Sequence, residues 1–172
     1  MDPKVLVLMG SDSDWEVMSE VKKALDEMGI PSEVHVSSAH RTPERTGRLA
    51  REAVGRGIQV IVCGAGAAAH LAGVCAAETE LPVLGVPLAS SDLQGLDALL
   101  ATAQMPGGVP VGTLAIGKAG ARNAGLLAAR IVARTDPAVA ARVREQRSRM
   151  AKEVEAKDAA LQARLAGDDS RA

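Results

Sequence analysis

Aromatic residues are nearly missing: the 172-residue chain has no phenylalanine, no tyrosine and one tryptophan, Trp15. Without aromatic platforms for stacked bases, a surface for single-stranded nucleic acid is excluded. An excess of charge is missing too. The 20 Lys and Arg nearly balance 21 Asp and Glu, and the formal net charge of −1 gives no pull towards DNA or an anionic membrane. No run approaches the roughly 20 apolar residues of a membrane helix. The apolar stretch near the N-terminus, about five residues, falls short of a signal h-region. Cysteine is scarce: Cys63 and Cys75 fit neither a disulfide framework nor a zinc spacing, and are expected to be small buried apolar residues. A soluble, cytoplasmic protein is expected, with no nucleic acid and no membrane as partner.

What remains is Ala, Val, Leu and Ile, and their pattern is regular. The segments 4–9, 32–37, 59–64, 83–88 and 111–116 read as strands. Three of them are nearly continuous in β-branched and aliphatic residues, as expected when both faces of a parallel sheet are covered. Between them lie helical signals. Ser13 and Glu16 have capping-box spacing, and Gly29 stops that helix before Pro31. Thr42-Pro43 opens a second helix that Gly57 ends. Further helices are expected over 68–79, 93–103 and 121–134. Strands alternating with helices specify an α/β fold, a three-layer αβα sandwich. Its five-stranded parallel sheet is expected in the flavodoxin-like order 2-1-3-4-5.

Asp136-Pro137 breaks the fifth helix, and a C-terminal helix is expected over about 138–165. Its larger apolar residues, Val139/Val143, Met150/Val154 and Leu161/Leu165, repeat after 11 residues and form one narrow stripe. That stripe suits either a solvated surface helix or one lying on a neighbouring subunit. Arg142 and Lys152 are expected to be solvated. The chain thus divides into a flavodoxin-like α/β domain over 1–135 and a C-terminal helix with its tail over 136–172.

Ligands of open α/β sheets bind beyond the carboxyl ends of the strands, at the switch in strand order. Three loops leave those ends here: Gly10-Ser11-Asp12-Ser13-Asp14, Ser37-Ser38-Ala39-His40-Arg41-Thr42-Pro43 and Gly64-Ala65-Gly66-Ala67-Ala68-Ala69-His70. The first offers hydroxyls and free amides at a helix start, suited to phosphate. It lacks the lysine of a P-loop. The third approximates a dinucleotide fingerprint, but at the third strand and without a following acidic residue, so NAD is not expected. His40 is a group able to move protons near neutral pH. Arg41 beside it is a permanent cation for phosphate or carboxylate. His35, inside a strand, is expected to be structural; His70 either caps the third helix, binds ligand, or both.

At these residues the chain resembles a known family. GSDSD, SAHRTP, GAGAAAHLAG, LGVPL, QMPGGVPVGT and AIGKAGARNA resemble, in order and spacing, the class I N5-carboxyaminoimidazole ribonucleotide mutases of bacterial purine synthesis. Ala67 stands where that family has glycine, and Ala72 where it has proline. Alanine at 67 is expected to keep the backbone out of the left-handed region. The resemblance implies an isomerisation moving a carboxylate from the exocyclic nitrogen to C4 of an imidazole ribonucleotide, with no metal, ATP or organic cofactor. It implies His40 as the catalytic group, and substrate contacts from Ser11, Ser13, Asp14 and Arg41. Ser38, Ala39, Gly66, His70 and Leu71 complete the implied site. It also implies a homo-octamer, with active sites between subunits and C-terminal helices packed on neighbours. The rival readings are an aminoimidazole ribonucleotide carboxylase using free CO2 and a non-catalytic flavodoxin-like nucleotide-binding module. The lack of Tyr and Phe to stack on a flavin argues against the latter.

Overall fold

Val5, Val7 and Met9 point to one side of the first strand and Leu6 and Leu8 to the other, and all five are buried. This period-two split organises the whole molecule, a computed structural model that describes residues 2–169. The strands are β1 (Val5–Met9), β2 (Ser32–Val36), β3 (Val60–Gly66), β4 (Val83–Leu88) and β5 (Gly112–Thr113). They form one parallel sheet in the order β2-β1-β3-β4-β5, as expected. The helices are α1 (Trp15–Glu27), α2 (Pro43–Ala53), α3 (Leu71–Glu78), α4 (Leu96–Ala103), α5 (Gly117–Val132) and α6 (Pro137–Asp169). One core packs Val60, Val62, Leu84 and Val86 against α1, α5 and the start of α6. The other packs Ile61, Cys63 and Val83 against α2 and α3. Each fully buried Val, Leu or Ile contributes about 1.5–3 kcal/mol to this arrangement.

Several boundaries differ from expectation for local reasons. The capping box belongs to Ser11 and Asp14, not Ser13 and Glu16. Ser11 has extended φ/ψ, its Oγ accepts from the Ser13 amide at 3.4 Å, and Asp14 Oδ2 accepts from the Ser11 amide at 3.0 Å. A 3-10 turn over Asp12–Asp14 therefore precedes α1. β5 is far shorter than the apolar run suggests, because the chain turns at Gly117, with φ of +76°, to start α5 four residues early. The glycines of α5 would oppose helix by propensity alone. Packing overrides them: a Cβ on Gly125 would come within 2.8 Å of the Val21 carbonyl of α1.

The first turns of α6 complete the first core. Asp136 Oδ1 caps them, accepting from the Ala138 and Val139 amides at 2.9 and 3.1 Å, and Val139 is buried. Arg142 is not merely solvated: its Nη1 donates to the Met28 carbonyl at 3.0 Å, satisfying the C-terminus of α1. Lys152 is exposed as expected, and so is every residue from 147 to 166. Among the described residues no helix is long and apolar enough to cross a membrane.

Candidate active site

Parallel strands deliver all their carboxyl ends to one edge, so the loops after β1, β2, β3 and β4 meet there. They enclose a cavity of about 330 Å³ beside the β1/β3 switch point. Ser11, Ser13 and Asp14 enter it from the first loop, and Ser38, Ala39, His40 and Arg41 from the second. Gly66, His70 and Leu71 enter from the third. All ten residues singled out from the sequence thus line one cavity. Sequence reasoning missed Ser90, two residues beyond β4, although the same strand-end rule applied to the fourth loop points to it.

The second loop is built to present its tip. The Ser38 amide donates to Thr42 Oγ1 at 3.0 Å, and Thr42 Oγ1 donates back to the Ser38 carbonyl at 3.0 Å. Ser38 Oγ accepts from the Arg41 amide at 3.2 Å. Beneath them the buried hydroxyls of Ser37 and Thr46 pair at 2.8 Å, fastening the loop to α2. With its polar backbone tied down, the loop holds His40 and Arg41 outward. Arg41 Nη2 donates to the Gly10 carbonyl at a long 3.3 Å, joining the second loop to the first. A guanidinium has five N–H donors, so this bond leaves capacity for an anion.

His40 Nε2 lies 2.7 Å from His70 Nδ1, with the ring planes at 83°. One ring must donate and the other accept, because two N–H groups cannot face each other at this distance. His70 directly precedes α3 but makes no side-chain cap to it, so of the roles open to it the structure favours the cavity.

Burial pushes the Asp14 carboxyl above its ordinary 3.8; the backbone amides of Ser11 and Gly10 oppose this, and the Asp12 carboxylate reinforces it. Ala67 departs from expectation. Its φ is +49°, in the left-handed region, although alanine pays roughly 1–2 kcal/mol there. The turn demands it: the Ala69 amide reaches back to the Ala67 carbonyl at 2.9 Å, and the His70 amide to Ala68 at 2.7 Å. Ala72 is unremarkable, since it sits in the first turn of α3, where proline and alanine are both tolerated. Among the described residues no group of three His, Cys, Asp or Glu is disposed to hold a metal ion. The arrangement suits an anionic ligand with hydroxyls, held beside one exchangeable proton.

Comparison with known proteins gives this chemistry its setting. Residues 4–153 match the family model described as AIR carboxylase. The chain belongs to this family. It is 55% identical over 169 residues to the N5-carboxyaminoimidazole ribonucleotide mutase of Mycobacterium tuberculosis, covering 98% of this chain and 95% of that protein. The mutase of Pseudomonas aeruginosa is 57% identical over 137 residues, covering 80% and 84% of the two chains. The crystal structure of Treponema denticola PurE superposes with a TM-score of 0.84 at 26% identity, covering 92% of this chain and 98% of that one. Within the AIR carboxylase family the chain belongs with the mutases.

Proposed function

We propose that the cavity carries out the N5-carboxyaminoimidazole ribonucleotide mutase reaction of purine biosynthesis by decarboxylation and recarboxylation, with His40 as acid and base. The observation that carries this reading is the His40–His70 contact, one exchangeable proton set beside the Arg41 cation. Arg41 and the amides around Ser11 suit the substrate phosphate. Asp14, Ser13 and Ser38 offer partners to the ribose end, and Ala39, Gly66 and Leu71 close around the base.

The chemistry balances with one proton. His40, charged, gives its proton to the exocyclic nitrogen; the N–C bond breaks, its electron pair stays on nitrogen, and CO2 is freed. The electron-rich C4 then attacks CO2 to form the new C–C bond. The C4 proton returns to His40, so the residue ends as it began and a net isomerisation needs no other acid or base. CO2 must not escape meanwhile. Ala65, Gly66, Ala67 and Ala68 line the cavity with small groups that leave room for it beside the ring.

Assembly follows the same reading. The substrate is an imidazole ribonucleotide, and the working form is a homo-octamer with active sites between subunits. Residues 1–135 carry the chemistry, and the part of α6 beyond Gln146 lies on neighbours. The exposed stripe of Met150, Val154, Leu161 and Leu165 supports this, as do exposed Leu93, Leu96 and Leu100 at α4. Free, buried Cys63 and Cys75 suit the reducing cytoplasm. The test is interconversion of the two carboxylated nucleotides in both directions without ATP. Efficient carboxylation of the uncarboxylated nucleotide by free CO2 would instead assign the carboxylase reaction.

A further inference from the structure

Among the described residues four polar side chains are buried: Ser37, Thr46, Thr102 and Gln146. Thr102 Oγ1 donates to the Ala98 carbonyl and Gln146 Nε2 to Met150 Sδ, so each bonds within its own helix. Ser37 and Thr46 differ, because their hydroxyls bond each other across two elements. Ser37 directly follows β2, and its amide donates to the Met9 carbonyl of β1 at 2.8 Å. Thr46 lies at the start of α2. The turn that carries His40 and Arg41 springs from between them.

The pair has a direction. Each hydroxyl carries one proton, and Thr46 Oγ1 donates its own to the Thr42 carbonyl at 3.2 Å. Ser37 Oγ therefore donates to Thr46. The Thr42 carbonyl also accepts from the Thr46 amide at 3.0 Å, and the Thr42 amide closes the turn onto the Ser38 carbonyl at 2.8 Å. An unbroken path thus runs from the sheet, through two buried hydroxyls, to the base of the His40 turn.

Packing alone does not set that base. The buried face of α2 consists of Thr46, Gly47, Ala50 and Ala53, which cover little apolar area, and apolar burial is non-directional. Two apolar side chains would fill the space of Ser37 and Thr46 without desolvating any hydroxyl. What the hydroxyls add is a fixed offset between β2 and α2 at the end nearest the cavity. At the far end Arg51 pairs with Glu78 of α3, but both are exposed and such a pair holds weakly.

We propose that Ser37 and Thr46 are positioning residues: their hydroxyl pair holds the second loop at the offset that brings His40 Nε2 to His70 Nδ1. The consequence for turnover rests on the mutase reading above. Neither residue lines the cavity, so both act through the turn. Proton transfer is steeply sensitive to misplacement of His40. Phosphate binding is less so, because Arg41 keeps its own ties to Ser38 Oγ and the Gly10 carbonyl.

The test sets stability against turnover. Ser37→Ala combined with Thr46→Val removes both hydroxyls and leaves no donor unpaired, so the urea midpoint should stay near the parental value. Its kcat for interconverting the two carboxylated nucleotides should fall about 10–100-fold, with KM essentially unchanged. Thr46→Ser should behave oppositely. It keeps the hydroxyl and loses a buried methyl, so it should be less stable yet turn over like the parent. Arg51→Ala should leave turnover unchanged. Nitrogen-15 NMR of the imidazoles reads the geometry without any activity. The paired rings of the parent hold complementary tautomers, and in the double variant both should move towards the mixture of solvated histidine. Should the double variant fail to fold, Thr46→Val alone should show the same loss of kcat and the same tautomer change. Parental kcat or parental tautomers in a folded variant without the Thr46 hydroxyl overturns the assignment. So does a loss of turnover in Thr46→Ser equal to that of the double variant. If the parent does not interconvert the nucleotides while the tautomers respond as stated, the mutase reading falls and the positioning of His40 stands.

Discussion

His40 and His70 are thirty residues apart in the chain, yet their ring nitrogens meet at 2.7 Å across the cavity. A hydrogen bond at that distance orients His40 towards the cavity, with one ring donating and the other accepting. His40→Asn keeps a polar side chain of similar reach but cannot exchange a proton near neutral pH. The variant should fold and bind nucleotide, while isomerisation falls by about 10²–10⁴-fold or more, the span for removing a general acid/base. Calorimetry and an ATP-free conversion assay separate the two effects. Substantial turnover in the variant would refute His40 as the shuttle.

The sequence made much of this legible, for reasons visible in particular residues. β1 and β4 were found because Val5–Met9 and Val83–Leu88 are buried on both faces and so are apolar throughout. The three loops followed from the parallel order, since such a sheet gathers its carboxyl ends. The pairing of His40 with His70 was hidden, because no local pattern reports a contact made between two loops. Arg142 is exposed as expected, but its bond to the Met28 carbonyl was hidden for the same reason, since the two lie 114 positions apart. Ser11 and Ser13 both begin a Ser-x-x-acid pattern, and only backbone geometry selects between them. Ala67 was misread because alanine avoids positive φ by itself, whereas the turn before α3 imposes it.

That imposed conformation predicts a stabilising change. Ala67→Gly removes a left-handed strain of roughly 1–2 kcal/mol, offset by the greater freedom of glycine in the unfolded chain, about 0.4–1 kcal/mol. The net gain should be at most roughly 1.6 kcal/mol, centred on about 0.8, and seen as a higher urea midpoint with an unchanged slope. A midpoint at or below the parental one would show that the positive φ at Ala67 carries no net strain.

Asp14 gives a pH signature. Its folded pKa lies above 3.8 through burial, so the fold favours the protonated carboxyl. That contribution is fully present below pH 3.8 and is lost as pH rises through the folded value; above it the buried carboxylate burdens the fold. Asp14→Asn keeps an oxygen to accept the Ser11 amide and never ionises. Relative to the parent, the variant should therefore gain stability as pH rises through that window, while losing nucleotide affinity. Urea midpoints measured across an acid-to-neutral series report the first effect. A stability difference independent of pH would remove burial as the cause.

The last prediction concerns α6, whose two ends do different work. Val139 is buried and Arg142 holds the Met28 carbonyl, so cutting at residue 138 would strip the core. Beyond Gln146 the helix is exposed up to residue 166, and its apolar residues Met150, Val154, Leu161 and Leu165 meet nothing in their own chain that buries them. Ending the chain after Arg147 should thus preserve the far-ultraviolet spectrum of the α/β body and a cooperative unfolding transition. If the stripe lies on neighbouring subunits, light scattering should show a smaller or weaker assembly. Replacing Val154 and Leu165 with glutamate in the full chain should act in the same direction, because burying an unpaired carboxylate opposes association. Lys152→Glu, which changes an exposed charge on the same helix, should have little effect on size. An unchanged, equally stable assembly after truncation would mean that this stripe is not the contact holding the copies together.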